Sequence, residues 1–244
     1  MKGPKYKHKP IATIGSLSRH LGITEQELQY LSENTAHFVY PNTPEPKKSG
    51  GVRQTYRVDK RLKALHSAIK AKIFRKVRWP YFLHGSIRDR DKPRDHITDA
   101  AAHSRGSHTV NLDVSQFFPS ISREYVYLMW LSGFRFSPTV AEVLTKLTTL
   151  NGWLYEGAAT SPLIANMIFG AHEADLVDQL NRKGVVYTRY VDDITLSATS
   201  RIDSALLGDC IRQIYGMLIN KGLAPNRRKQ KAYIGAEWVR FTHS

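Results

Sequence analysis

The sequence has almost no cysteine, because Cys210 is the only one among its 244 residues. A single cysteine excludes an intrachain disulfide and any zinc site built from several cysteines. Cys210 itself falls in an apolar helical pattern, so we expect it in the core. No apolar run approaches the roughly 20 residues that a membrane helix needs, and no signal peptide is visible. These absences favour a location in the reducing cytoplasm.

Acidic residues are also scarce, since 21 Asp and Glu stand against 36 Lys and Arg and leave a net charge of +15. Such a balance favours a polyanionic partner. The charge is unevenly distributed, because residues 46–78 carry twelve Lys or Arg and one acid, Asp59. A second basic cluster contains Arg227, Arg228, Lys229 and Lys231. The leader at residues 1–10 carries four lysines, and we expect it to be disordered.

Two adjacent aspartates, Asp192 and Asp193, interrupt an otherwise strand-like pattern. Residues 185–189 and 194–197 are rich in β-branched and aromatic side chains, which predicts a hairpin with both aspartates at its tip. Like charges that close repel each other, so they need a compensating cation, and Mg²⁺ prefers carboxylate oxygens. Because Asp also favours turns for its own reasons, the pair alone does not establish a metal site.

A third aspartate, Asp113, ends a short apolar run that we expect to be a buried strand. Two-metal phosphoryl transfer uses carboxylates from separate strands to hold two ions roughly 3.5–4 Å apart. Asp113, Asp192 and Asp193 would supply these ligands, and the carbonyl of Val114 could add one more. The predicted cofactor is therefore a pair of Mg²⁺ ions, with Mn²⁺ as the alternative.

Four segments together resemble the palm of a reverse transcriptase, in the order of that family's motifs A to D. They are Asp113 with Phe117–Phe118, then Glu156–Pro162 with Asn166, then Tyr190–Asp193, and finally Leu223–Lys229. The resemblance covers roughly residues 50–234 and implies an RNA-directed DNA polymerase. It also implies an α+β fold of right-hand fingers and palm, with an antiparallel palm sheet backed by helices. The domains would be an N-terminal helical segment at 1–45, basic fingers at 46–108 and a palm at 109–244.

Within that family the sequence is similar to bacterial retron enzymes. Asp99–His103 resembles their Asn-Ala-x-x-His signature, and Gly85–Ile87 and Gly157–Pro162 also fit their pattern. A retron enzyme copies its own structured noncoding RNA into branched RNA–DNA (msDNA), usually in phage defence with an effector protein. Retron enzymes also carry a thumb that begins with Val-Thr-Gly, which is absent up to Ser244. We therefore expect the thumb to be missing or on another chain. The expected partners are the RNA, its DNA product, dNTPs, an effector and that thumb chain, with no membrane.

Other functions fit parts of the same pattern. Another bacterial reverse transcriptase, of the group II intron or abortive-infection type, would carry the same motifs. An RNA-dependent RNA polymerase is a further alternative, but it would have to accept the ribose of an rNTP next to the bulky ring of Phe118, at the position where the family selects the sugar. A nonenzymatic RNA-binding scaffold is the alternative from a different class, favoured by the missing thumb and by Glu156, which stands where the family usually has glutamine. A carboxylate there is unfavourable near a triphosphate unless it pairs with a cation.

The resemblance also gives roles to individual residues. Phe118, five residues after Asp113, stands where the family has its sugar-selecting residue, and its ring would collide with a 2′-hydroxyl. Phe117 would then be a core residue, because neighbours on a strand point to opposite faces. The remaining candidates at the substrate are Gly157, Ser161, Pro162, Asn166, Tyr190, Arg53 and Arg57. The two arginines would bind triphosphate, template or neither.

Lys229 resembles the motif D lysine, a catalytic proton donor to pyrophosphate, although it could act by charge alone. The candidates for nucleic-acid binding are Lys60, Lys63, Lys70, Arg227, Arg228 and His103. His103 could equally be a packing histidine.

Local patterns predict most of the secondary structure. Two short helices are expected at 14–34, the first capped by Ser16 and ended by Gly22, the second opened by a capping box at Thr24–Glu27. They form either a helical hairpin or a DNA-reading helix-turn-helix. The other predicted segments are a loop at 42–51, helices at 60–76, 122–131, 138–150, 162–180 and 205–220, and a closing strand or hairpin at 231–241.

Overall fold

The structure is a computed structural model, and it describes residues 2–47, 51–89, 93–199, 203–234 and 237–239. The helices are α1 (Ile14–Leu21), α2 (Glu25–Glu33), α3 (Lys60–Lys72), α4 (His96–Ala102), α5 (Arg123–Leu128), α6 (Pro138–Thr148), α7 (Ser161–Met167), α8 (Gly170–Arg182) and α9 (Ser204–Ile219). The strands are β1 (Lys5–Tyr6), β2 (Val39–Pro41), β3 (Glu45–Pro46), β4 (Val52–Arg53), β5 (Tyr56–Val58), β6 (Val77–Arg78), β7 (Leu83–His84), β8 (His108–Ser115), β9 (Thr149–Leu150), β10 (Trp153–Leu154), β11 (Val186–Tyr190), β12 (Asp193–Ala198), β13 (Ala224–Pro225), β14 (Lys231–Ile234) and β15 (Glu237–Val239).

The chain divides into two compact units. The first comprises residues 1–4, 79–117 and 169–244, and the second comprises 5–78 and 118–168. The predicted functional division at residues 45 and 108 stays a prediction. None of the helices in the described ranges is long and apolar enough to cross a membrane.

The first unit contains a sheet in the order β15-β14-β8-β12-β11-β7, with β13 also paired to β8. The hairpin β11–β12 forms where the β-branched and aromatic residues predict it, and β12 runs antiparallel to β8. The sheet is antiparallel as expected except at one edge, where β7 pairs with β11 in parallel. The strands β14 and β15 form the expected closing hairpin, whereas residues 235–236 and 240–244 lie outside the described residues.

The second unit is largely helical and has an aromatic core. Trp130 and Phe134 pack with ring centroids 4.7 Å apart, and Phe74 lies 5.3 Å from Trp130. Aromatic pairs of this kind contribute about 0.5–1.5 kcal/mol each beyond their area burial. The pair α1–α2 packs as a hairpin beside α3, where Lys72 Nζ donates a hydrogen bond to the Leu21 carbonyl. Of the two alternatives for this segment, the packing of α1 and α2 against α3 corresponds to a helical hairpin.

The basic leader is ordered from β1 onward, contrary to expectation. Lys5 and Tyr6 pair with Arg78 and Val77, and Tyr6 is only 5% exposed. Its ring lies 5.1 Å from that of Phe134. The free energy gained by burying this aromatic ring favours an ordered leader in spite of its charged lysines. The composition of the segment alone does not predict this burial.

The helix predicted at 162–180 is in fact two helices, α7 and α8. Gly170 has a φ of +56°, in the left-handed region that glycine adopts readily, and the helix is interrupted just before it. Helix α3 similarly ends at Lys72, followed by a 3-10 turn at Phe74–Lys76.

Two smaller expectations are also corrected. The N-cap of α1 is Thr13, whose side chain accepts a hydrogen bond from the Ser16 amide. Ser16 is therefore not the capping residue; it lies in the first turn of the helix. Gly22 ends that helix with a φ of +77°, as expected. Thr24 caps α2 by accepting from the Glu27 amide, which is one half of the expected capping box, whereas Glu27 Oε1 accepts from Arg61. The predicted loop at 42–51 contains the short strand β3, which pairs with β4 directly after the loop.

Candidate active site

Strand pairing in the first unit brings the three motif aspartates together. Asp193 opens β12 and is the direct cross-strand partner of Asp113 on β8. Directly opposite residues of an antiparallel pair project from the same face with Cβ atoms about 4.5–5.5 Å apart. Asp192 occupies the preceding turn, and its carbonyl accepts a hydrogen bond from the Val114 amide at 3.3 Å. Carboxylates from two strands and one turn therefore meet at one place, as the sequence predicts.

The carboxylates of Asp113, Asp192 and Asp193 repel one another. The pKa of Asp193 is raised to about 6 by partial burial, and then by the neighbouring carboxylates of Asp192 and Asp113. Lys229 opposes this shift. A cation is therefore favoured at the cluster, because it would offset the repulsion between the charged carboxylates.

Lys229 and Asn226 hold the Asp113 carboxylate. Lys229 Nζ lies 3.0 Å from Oδ1, and Asn226 Nδ2 donates to Oδ2 at 2.8 Å. The Asn226 amide also donates to the Asp113 carbonyl at 2.7 Å. The hydrogen bond to Asp113 raises the pKa of Lys229, so the lysine stays charged. Strand β13 places both residues beside Asp113. It pairs with Val114 and Ser115 on β8, and Asn226 and Lys229 follow it directly in the chain.

The donor chemistry of this cluster suits Mg²⁺, which prefers carboxylate oxygens. In the parts of the chain that the structure describes, however, no three His, Cys, Asp or Glu side chains are arranged to hold one metal ion. Both oxygens of Asp113 are engaged by Lys229 and Asn226 instead. The ligand types fit the ion, but metal binding would require these side chains to move.

The turn that carries Asp192 has an unusual backbone. Val191 has a φ of +60°, which is a genuine outlier for a β-branched residue. Gly85, with a φ of +78°, packs against it, and a Cβ at Gly85 would lie 2.8 Å from Val191 Cγ2. The Tyr190 ring would be 3.2 Å from the same atom. Only glycine fits at residue 85 without displacing the turn.

In the second unit, the segment around Glu156 is fixed to the β4–β5 region. The Tyr56 amide donates to the Glu156 carbonyl at 2.9 Å, and a Cβ at Gly157 would lie 2.0 Å from the Tyr56 carbonyl oxygen. Arg53 Nε lies 2.5 Å from Glu156 Oε2. Arg53 is thus the cation that the unusual Glu156 requires.

The other candidates of the second unit occupy varied environments. Ser161 is buried and donates its hydroxyl to the Tyr155 carbonyl at 2.7 Å, and Pro162 lies in the first turn of α7. Asn166 is fully buried. Phe118 is half-buried at the start of a 3-10 turn. Roles at the substrate stay predictions for all four.

Phe117, in the first unit, is buried and stacks on Phe169 with ring centroids 6.4 Å apart, so its predicted core position is confirmed. Strand alternation does not explain this position, because β8 ends at Ser115 and Gln116 has a φ of +45°.

Most of the predicted nucleic-acid contacts are exposed cations. Lys60, Lys63, Arg227 and Arg228 are exposed, and Lys70 is half-buried; Arg57, a candidate at the substrate, is exposed as well. Arg57 and Arg227 lie over the rings of Tyr40 and Tyr215.

His103 differs from these residues, because it is buried. Its Nδ1 is 2.6 Å from Ser197 Oγ and its Nε2 is 2.7 Å from Thr188 Oγ1. Burial lowers the pKa of His103. With both ring nitrogens hydrogen-bonded inside the first unit, His103 has the environment of the packing alternative.

Sequence reasoning gave no role to Asn226, Gly85 or Arg189. Asn226 precedes the basic run of motif D, and its proximity to Asp113 depends on the β13–β8 pairing. Arg189 is fully buried in a strand, and an arginine within an apolar strand pattern is a signal that could have identified it.

Comparison with known proteins gives these motifs a family. Residues 45–242 match the model of the reverse transcriptase (RNA-dependent DNA polymerase) family. The chain is 33% identical to the retron Se72 reverse transcriptase of Salmonella heidelberg, over 94% of this chain and 59% of that protein. It is 32% identical to the retron Ec48 reverse transcriptase of Escherichia coli, over 92% and 56%.

This chain thus spans less than two thirds of the length of these curated relatives. A solved apo telomerase from Candida tropicalis, truncated of its C-terminal domain, aligns over 56% of this chain and 31% of its own. Its 8% identity and TM-score of 0.39 are too low to support any conclusion. The family match covers most of the sequence, including all four motifs, and this chain therefore belongs to the reverse transcriptase family.

Proposed function

We propose that the protein synthesises DNA on an RNA template, as the reverse transcriptase of a retron. The observation that carries this proposal is the register of β8 and β12, which sets Asp113 directly opposite Asp193, while the carbonyl of the adjoining Asp192 accepts from the Val114 amide on β8. Similarity to retron reverse transcriptases over more than nine tenths of the chain supports the retron setting.

In this proposal Asp113 and Asp192 would be the principal ligands of two Mg²⁺ ions, and Asp193 would be the supporting carboxylate. When bound, the ions activate the attacking hydroxyl and stabilise the charge of the leaving pyrophosphate. Lys229 and Asn226 orient Asp113 before substrate arrives. Lys229, kept charged by that contact, is then the candidate proton donor to pyrophosphate once it leaves Asp113.

The remaining candidate residues select and hold substrate. Phe118 excludes the 2′-hydroxyl and so favours dNTPs. The exposed lysines of α3 contact template phosphates, which requires no sequence preference. Residues 46–108 act as fingers and residues 109–244 as palm. The partners are a structured noncoding RNA, its branched DNA product and an effector protein in phage defence.

A nonenzymatic RNA-binding scaffold is the second candidate. It is favoured by one observation, namely that Lys229 and Asn226 occupy both oxygens of Asp113 while no three-ligand metal arrangement is formed among the described residues. A scaffold would use the net positive charge without needing the ions. Its predicted behaviour is RNA binding without nucleotide incorporation.

Copurifying nucleic acid distinguishes these functions. The protein is purified from its native locus, and the bound nucleic acid is treated with RNase and with DNase in separate reactions. A branched species containing both RNA and DNA is expected, and it would identify the template at the same time. RNA alone, with no DNA made after addition of dNTPs and Mg²⁺, would contradict polymerase activity by this chain and favour the scaffold.

A further inference from the structure

A fully buried ion pair lies within the same unit as the three aspartates. Arg189 on β11 and Glu173 on α8 both have 0% exposed side chains. They form a bidentate contact, with Nε 2.5 Å from Oε1 and Nη2 2.8 Å from Oε2. Tyr187 also donates its hydroxyl to Glu173 Oε1 at 2.8 Å, and the Phe169 ring centroid lies 5.0 Å from the guanidinium carbon. The guanidinium orientation is therefore fixed from several sides.

The third guanidinium nitrogen reaches the aspartate turn. Arg189 Nη1 donates a hydrogen bond to the Val191 carbonyl at 2.8 Å. That carbonyl belongs to the peptide joining Val191 to Asp192. Because Val191 is held at a φ of +60°, a conformation unfavourable for a β-branched residue, the turn needs an external contact to keep it. Arg189 supplies one such contact from inside the unit.

Asp192 is thereby held on both sides of its Cα. The carbonyl before it accepts from Arg189, and its own carbonyl accepts from the Val114 amide on β8. With both flanking peptides fixed, the direction of the Asp192 side chain is restricted relative to Asp113 on the same strand as Val114. Metal-binding carboxylates require this kind of restriction, because an ångström of misplacement is costly in catalysis.

A structural role alone explains this pair poorly. Buried ion pairs are weak contributors to stability, and well-packed apolar residues of similar volume often replace them at no cost. An apolar side chain at residue 189 could fill the same space, but it could not donate a hydrogen bond to the Val191 carbonyl. The functional consequence of the pair is thus the orientation of the turn.

We propose that Arg189, oriented by Glu173, is a positioning residue that fixes the Val191–Asp192 peptide so that Asp192 is directed toward the metal ions. The inference rests on the proposed function, since it concerns the same site. Arg189 does not touch substrate or metal in this proposal; it acts only through the backbone of the turn.

The test replaces the whole buried cluster by apolar residues, because removing one charge alone would leave the other unpaired and could unfold the protein. The variant is Tyr187→Phe/Glu173→Met/Arg189→Met, in which Tyr187 is changed because its hydroxyl would lose its acceptor. Tyr187→Phe alone is the matched control, since it keeps the bond from Arg189 to Val191. Thermal unfolding measures the fold, electron paramagnetic resonance measures Mn²⁺ binding without nucleotide, and incorporation kinetics give kcat and KM for dNTP.

The triple variant should melt close to the wild-type temperature and yet bind Mn²⁺ about tenfold more weakly or worse. Its kcat should fall by about 10²-fold, with a KM for dNTP close to that of the wild type, because misplaced carboxylates impair the chemical step. The Tyr187→Phe control should retain both Mn²⁺ affinity and kcat.

A folded triple variant with wild-type Mn²⁺ affinity and kcat would overturn the positioning role. Arg189→Lys is the second variant if the triple variant fails to fold. It keeps the positive charge but not the planar fork that reaches Glu173 and Val191 together, and it should show the same two losses. Wild-type protein that neither binds Mn²⁺ nor incorporates dNTP would instead refute the proposed function, which separates the two failures.

Discussion

Asp113 and Asp193 are direct cross-strand partners, and Lys229 Nζ lies 3.0 Å from Asp113 Oδ1. Opposed like charges destabilise a strand pair unless a cation is near. Here Lys229 provides that positive charge. The site thus balances two carboxylates of neighbouring strands with one lysine, which a metal ion would have to displace.

Replacing Lys229 by Met should therefore destabilise the metal-free protein and increase the stabilisation by added Mg²⁺. The loss in EDTA should be modest, about 1 kcal/mol or less, because the lysine is 49% exposed. Melting temperatures with and without Mg²⁺ measure both effects. Arg228→Met is the control, since it removes one exposed positive charge without the contact to Asp113. Equal behaviour of the two variants would show that the contact has no energetic role.

Phe118→Ala should gain use of ribonucleotides, because the ring that would collide with a 2′-hydroxyl is removed. The measurement is kcat/KM for a dNTP and for the matching rNTP. Phe117→Ala is the control: Phe117 is buried, so this change should cost about 3–5 kcal/mol of stability and leave sugar selectivity unchanged. Unaltered selectivity in Phe118→Ala would exclude its role as the sugar-selecting residue.

Glu156→Gln should lower the KM for dNTP with little change in kcat, because it removes a negative charge near the triphosphate and the carboxylate that competes with phosphate for Arg53. In an Arg53→Met background the gain that depends on the arginine should be lost, so the same substitution should change KM only by removing the repulsion between the carboxylate and the triphosphate. This double-mutant cycle reports the coupling directly. Additive effects of the two changes would show that the Arg53–Glu156 pair does not control nucleotide binding.

Acid should destabilise the second unit through His66. This histidine is buried, with Nε2 donating to the Leu147 carbonyl at 2.7 Å, and its Nδ1 has no hydrogen-bond partner among the residues that the structure describes. Burial lowers its pKa to about 4, so between pH 6.5 and 4 the unfolded chain binds the proton and the folded chain does not. The free energy of unfolding should fall across that window by about 3 kcal/mol.

Urea unfolding at several pH values measures this dependence. His66→Gln is the control, because it keeps a donor near Leu147 but does not titrate. Its free energy of unfolding should vary less between pH 6.5 and 4. Identical slopes for wild type and variant would assign the acid sensitivity to other groups.

The sequence predicts the β11–β12 hairpin and the meeting of Asp113, Asp192 and Asp193, because local β-propensity and family motifs specify them. It does not predict the contact of Asn226 with Asp113 or that of Lys5 with Arg78. These contacts join residues far apart in sequence, so they depend on tertiary packing. The sequence does not predict the helix break before Gly170 either, because a single glycine in a periodic pattern is compatible with a continuous helix.

The central claim is that the three aspartates support RNA-templated DNA synthesis, and the most direct measurement is incorporation of labelled dNTP on an RNA template with Mg²⁺. Wild-type protein should extend the primer, and Asp192→Asn should abolish extension while RNA binding is unchanged. Asp175→Asn, the same change at an exposed position of α8, should be fully active. Full activity in Asp192→Asn, or RNA binding without any incorporation by the wild type, would contradict the account.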